Sequence, residues 1–246
     1  MATVSPAYTG RPPKASRLTE EPPALPLDTR ISLRVASNRP LRSGTLTLTP
    51  VLGGKPVEVV LQPVEIRGAL VTGNFTLTEA SAFTLSVRDT DGLGSTETRR
   101  GRFTILPDER PRIFVVETGR NAVATPTLRV PLKIQAQDDY GVTRLVWLRG
   151  HNRSLERPTS LPMTLRGGPQ SVEATGELAL DRLGVRPGDV IEYFFEAADN
   201  YPRGPNVALS RIYRLEIISE EQYREVLKQA AARKALDRSF VQLLTS

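Results

Sequence analysis

The chain has 246 residues, 39% of them hydrophobic and none of them cysteine, with a formal net charge of +6. That length leaves room for two domains with separate cores, and the lack of cysteine excludes disulfides and thiol chemistry. No apolar run approaches the ~20 residues that span a bilayer. Nor does the basic balance mark a nucleic-acid partner, because its arginines are scattered among acids and not gathered into a stripe.

Residues 1–28 are rich in proline, which fixes φ and removes a backbone donor, so they predict an extended lead-in with a short edge strand at 3–8. Alternating apolar and polar residues predict strands at 30–36, 44–49, 57–62, 70–77, 82–88 and 100–106. Turn chemistry separates them at Asn38-Arg39-Pro40, Gly53-Gly54 and Asp91-Gly92. Ile31, Leu33 and Val35, with Phe83, Leu85 and Val87, are the expected inward-facing residues. A linker at 106–111 contains Pro107 and Pro111, which predicts a stiff joint.

Strands resume at 112–117, 128–136, 143–149, 163–165, 171–178, 190–199 and 210–218. Residues 180–189 read as a short helical turn or corner that closes on the tight turn Pro187-Gly188-Asp189. At Ser219 the period changes. Ser219-Glu220-Glu221-Gln222 fits a capping box, and Tyr223, Val226, Ala230, Leu236, Phe240 and Leu243 form a stripe at helical spacing. Arg233 and Asp237 interrupt that stripe, so the expectation is a helix that opens a coiled coil imperfectly.

The same pattern occurs twice. Residues 29–48, TRISLRVASNRPLRSGTLTL, lie over 127–148, TLRVPLKIQAQDDYGVTRLVWL, and 82–94, AFTLSVRDTDGLG, lie over 191–201, IEYFFEAADNY. A repeat of about a hundred residues is too long for a solenoid and suits a small sandwich. The expected fold is all-β: two tandem immunoglobulin-like (fibronectin-like) β-sandwiches at 1–107 and 108–218, then a C-terminal α-helix at 219–246.

Few residues carry chemistry. Asp89-Thr90-Asp91-Gly92 resembles the opening of a calcium loop but lacks the distal acids, and reads as a hairpin turn. Asp138-Asp139-Tyr140-Gly141 and Asp199-Asn200-Tyr201 fall in loops that a sandwich brings to one end. Asp138, Asp139, Asp199 and Asn200 are therefore the candidate cluster. They are expected to cap backbone donors with arginine nearby, with calcium as the minority ligand. His151, the only histidine, reads as a solvated loop residue. No nucleophile elbow, P-loop or dinucleotide fingerprint occurs, so no enzyme, no catalytic residue and no cofactor are expected. Trp147, Tyr193, Phe194, Phe195 and Tyr213 alternate in strands. They are expected in the core, and the alternative is an outward platform that binds carbohydrate or cell-wall polymer.

Several segments in order, SPAYTGRPP, LPDERPRIFVVETG, DDYGV, GDVIEYFFEAADN and PNVALSRIYRLEIISEEQY, resemble a family of large bacterial membrane-anchored proteins of unknown function. In that family, membrane helices precede tandem immunoglobulin-like domains and a long coiled coil follows them. The resemblance spans about residues 4–223. It implies a periplasmic or extracytoplasmic place and a non-catalytic spacer or interaction module. The implied partners are other envelope proteins, or a second copy through the C-terminal helix, with a membrane reached only through flanking segments. No catalytic residue transfers. This chain lacks the membrane helices and most of the coiled coil, and so reads as a fragment.

Overall fold

A computed structural model describes residues 1–65, 68–117, 122–152, 154–161 and 164–244, with side chains over the same residues except 154–161, 164–165 and 234–244. The chain divides into two compact units, Met1–Asp108 and Glu109–Ser246.

The first unit contains β1 (Ala2–Val4), β2 (Lys14–Ala15), β3 (Leu25–Pro26), β4 (Thr29–Ala36), β5 (Leu41–Pro50), β6 (Val57–Pro63), β7 (Leu70–Leu77), β8 (Ser81–Asp89), β9 (Arg99–Phe103) and β10 (Ile105–Leu106). Strands run β2-β1-β4-β7 in one layer and β5-β8-β9 in the other, joined along one side by β6. β6 pairs with β5 through Val57–Leu61 and with β7 through Gln62 and Pro63, so it crosses between layers. Ile31, Leu33, Phe83 and Leu85 are buried, and Val35 and Val87 pack against them half-buried. The period-two pattern thus delivers one apolar face from each layer to a shared core.

The lead-in does more than add an edge strand. β1 stops at Val4, short of the expected strand, because Pro6 has no N–H to donate; a single 3₁₀ turn, Ala7–Thr9, follows. Farther on, the lead-in lies along the outer edge of β9. The Arg102 N–H donates to Glu20 O (2.8 Å), Leu25 N–H donates to Thr104 O (3.0 Å), and β3 pairs parallel with β10. Leu18 and Leu25 add apolar surface to the core. Gly101 permits the crossing, since a Cβ there would lie 2.1 Å from Glu20 O and 2.6 Å from Phe83 Cζ.

The second unit contains β11 (Arg112–Glu117), β12 (Ala122–Ala124), β13 (Arg129–Gln137), β14 (Val142–His151), β15 (Ser154–Leu161), β16 (Thr164–Gly168), β17 (Ser171–Ala179), β18 (Val190–Asp199), β19 (Val207–Leu209), β20 (Tyr213–Ile217) and α1 (Glu220–Leu244). Its layers are β11-β13-β17-β16 and β12-β20-β18-β14-β15, with β19 on β18. Trp147, Tyr193 and Phe195 are fully buried, and Tyr193 stacks on Tyr213 at 5.4 Å between centroids. The expected strand at 210–218 forms only at β20, and β19 precedes it as a piece the sequence reading did not include. Ser210 divides them: its hydroxyl oxygen accepts from Phe195 N–H (3.0 Å) while its own N–H donates to Phe195 O (2.9 Å). β15 was not foreseen, because LERPTSL contains a proline and does not alternate. The expected strand residue Met163 lies outside the described residues.

At α1 both halves of the capping box form. Gln222 N–H donates to Ser219 Oγ (3.2 Å), and Ser219 N–H donates to Gln222 Oε1 (2.9 Å). Thr127 Oγ1 donates to Glu220 Oε1 (2.8 Å), which ties the first turn to its sandwich. The stripe residues Leu236, Phe240 and Leu243 lie where side chains are not described.

Candidate functional site

β13 ends at Gln137 and β18 ends at Asp199, and their outgoing loops meet at one end of the second sandwich. Asp199 is fully buried. Its Oδ1 accepts from Tyr201 N–H (3.0 Å) and Asn206 N–H (2.8 Å), and its Oδ2 accepts from Asn206 Nδ2 (2.7 Å). Asp138 Oδ1 accepts from Tyr140 N–H (2.9 Å) and Gly141 N–H (2.7 Å). Each carboxylate therefore closes its own loop, as an Asx turn does. Asn200 lies against the first loop, where a Cβ on Gly141 would stand 3.0 Å from its Nδ2.

Asp138 and Asp199 bring carboxylate oxygens within 4.8 Å of each other. Asp139 joins the loops by its backbone, accepting from Gln170 Nε2 (2.9 Å). Sequence reasoning missed Asn206, whose spacing from Asp199 follows no motif. Carboxylates this close need a cation, a shared proton or donors. The loops supply donors to Asp138 Oδ1 and to both oxygens of Asp199. Asp138 Oδ2 is buried and accepts no hydrogen bond among the described residues. Calcium takes six to eight oxygens, and of the four carboxylate oxygens of Asp138 and Asp199 three already accept loop donors, which makes this pair a poor match for it.

The other sequence candidates separate cleanly. Asp89 Oδ1 accepts from Asp91 N–H (3.0 Å) and Leu93 N–H (2.8 Å), and its Oδ2 meets Arg39 Nε at 3.0 Å. Gly92 completes this turn at φ +85°. His151 is the last residue of β14 and not a loop residue, and its Nε2 lies 3.4 Å from Asp189 Oδ2. Hydrogen bonds from Asn152 and from Arg186 N–H, then proximity to His151, hold the Asp189 carboxyl below its ordinary value. Arg99, Arg100 and Arg102 line a cleft whose other wall includes Glu20, Glu21 and Glu97, so acids face this basic run. Trp147, Tyr193 and Tyr213 are 0%, 0% and 5% exposed. The outward aromatic platform is therefore corrected: these rings face inward because alternation places them on the core side of β14, β18 and β20.

No family model matches the chain, and no curated protein matches it. Among solved structures it is similar to AggA, the major subunit of aggregative adherence fimbriae type I of Escherichia coli, at 11% identity and TM-score 0.30, covering 45% of this chain and 97% of that one. It is also similar to titin domains z1z2 in complex with telethonin, at 12% identity and TM-score 0.34, covering 80% of this chain and 92% of that one. A chicken T-cell receptor shows 11% identity and TM-score 0.24, covering 80% of this chain and 96% of that one. Scores this low carry no argument; the all-β sandwich assignment rests on the strand order and cores above.

Proposed function

We propose that this chain is a non-catalytic spacer and interaction module, with two immunoglobulin-like sandwiches that hold a helix for pairing with another polypeptide. The observation that supports this most directly is the state of α1. From Arg224 to Arg233 every side chain is exposed, including Val226 at 40% and Leu227 at 51%. A helix of about 37 Å, at 1.5 Å per residue, whose described side chains beyond Tyr223 are all exposed, is marginal in water without tertiary packing. Its apolar side chains are used only when a partner covers them, a second copy or another envelope protein. The ordered motifs quoted above, shared with large membrane-anchored proteins, support an extracytoplasmic place for the module.

Circular dichroism across a dilution series tests the helix. Helical signal should fall as the protein is diluted, and Val226→Asp with Leu227→Asp should lower it at every concentration. A signal independent of concentration and of those substitutions would remove pairing through α1. Fractionation of cells that express the whole reading frame tests the location.

A further inference from the structure

In the first sandwich, β1 is covered on both sides: β4 pairs with one edge, and β2 adds antiparallel on the other through Ala2↔Ala15 and Thr3↔Lys14. β11 occupies the corresponding outer position of the second sandwich, and among the described residues it pairs with β13 alone. It is also the longer strand, six residues against three. Ile113, Phe114, Val115 and Val116 form an uncharged β-branched and aromatic run. Ile113 and Val115 pack on the core, whereas Phe114 is 46% and Val116 57% exposed. Proteins normally blunt such an edge with lysine, proline, a bulge or a covering segment, and β11 has only a register shift between Val115 and Glu117. Here the charges stand only at the ends, Arg112 at one and Glu117 at the other. Arg112 reaches only the exposed Glu109, at 3.0 Å, a surface pair of small worth.

We propose that β11 is a self-association edge: two copies of this chain pair β11 with β11, antiparallel, about a two-fold axis. The charge order selects a second copy as the occupant. Antiparallel pairing about a two-fold brings Arg112 of each strand to the Glu117 end of the other and, with the register shift before Glu117, sets Phe114 of both strands in the middle. The geometry repeats what β2 does to β1 within the first sandwich. The inference stands apart from pairing through α1 and uses different residues.

Sedimentation velocity of the full chain over a concentration series tests it, with circular dichroism confirming that each variant folds. The unmodified protein should show a monomer–dimer equilibrium. Arg112→Glu alone and Glu117→Arg alone should each weaken the dimer roughly tenfold by placing like charges together at both ends. The double exchange should restore it. Val116→Lys should give monomer in a Val226→Asp, Leu227→Asp background, where α1 does not pair, and if that variant does not fold, the charge exchanges at exposed positions still decide. A monomer at every concentration would overturn the proposal, as would single exchanges without effect or a double exchange that fails to restore pairing. A dimer abolished by the Val226 and Leu227 substitutions but indifferent to β11 would overturn it too, and would assign association to the helix.

Discussion

Asp89 and Asp199 hold the same position in their sandwiches: each ends the strand before the last hairpin, each is buried, and each uses Oδ1 to accept two backbone N–H groups of the loop that follows. The first unit adds Arg39 at 3.0 Å from Asp89, from the loop after β4. In the second unit the loop after β13 presents Asp138 instead, so Asp199 faces a carboxylate where Asp89 faces a guanidinium. The two sandwiches share the loop-closing acid and differ in its neighbour.

Asp199→Ala should destabilise the second sandwich by about 2–4 kcal/mol, because the Tyr201 and Asn206 donors lose their acceptor and a buried unmade hydrogen bond costs ~1–3 kcal/mol. Asp89→Ala should do the same to the first unit. Calorimetry should show a different transition move in each variant, by about 4–8 °C per kcal/mol. Asp199→Asn keeps one acceptor and should fall between.

Trp147 is fully buried, yet its Nε1–H meets no acceptor among the described residues. Trp147→Phe removes that unsatisfied donor while leaving most of the ring volume, so chemical denaturation should report a change within about 1 kcal/mol. Trp147→Ala removes the packing as well and should cost ~3–5 kcal/mol.

Gly101→Ala should detach the lead-in from β9, since the added methyl would overlap Glu20 O at 2.1 Å. Trypsin should cut at Arg17 several-fold faster in the variant, and stability of the first unit should fall by about 1–3 kcal/mol. Unchanged cleavage would mean that the crossing at Glu20 is not what holds the lead-in.

Hydrogen bonds from Thr127, then Thr125, hold the Glu220 carboxyl below its ordinary 4.5, with Arg224 assisting. A depressed folded value means that the tie between α1 and its sandwich is fully present above about pH 4.5 and is lost as pH falls through the lower folded value. Asp189, also depressed, behaves with the same sign from its ordinary 3.8 downward. Helical signal at 222 nm followed from pH 7 to pH 3 should decline at the acid end, and Thr127→Val should move that decline to higher pH. Ser219→Ala should lower helix stability by about 1 kcal/mol.

Calcium added to millimolar concentration should leave the melting temperature of the second sandwich unchanged. Of the four carboxylate oxygens of Asp138 and Asp199, three face loop donors, which leaves too few open ligand positions. A rise in melting temperature that Asp138→Asn abolishes would establish a calcium site.

Local rules made much of this protein legible without coordinates. Alternation located the inward residues of β4 and β8, and Trp147 on β14 with Tyr193 and Phe195 on β18, because side chains on a strand must point to one face or the other. The capping box at Ser219–Gln222 was readable because its partners are three residues apart. The Asp138 and Asp199 turns were recognisable for the same reason, each carboxylate reaching donors within its own loop. Tertiary structure alone decided the rest: how closely Asp138 and Asp199 come together, that Glu20 crosses Gly101, that β6 belongs to both layers, and that among the described residues β11 pairs on one edge where β1 pairs on two. Each of these is a meeting of residues far apart in the chain or on different strands. Spacing carries no trace of such a meeting, because it is fixed by how the strands are ordered and not by the residues between them.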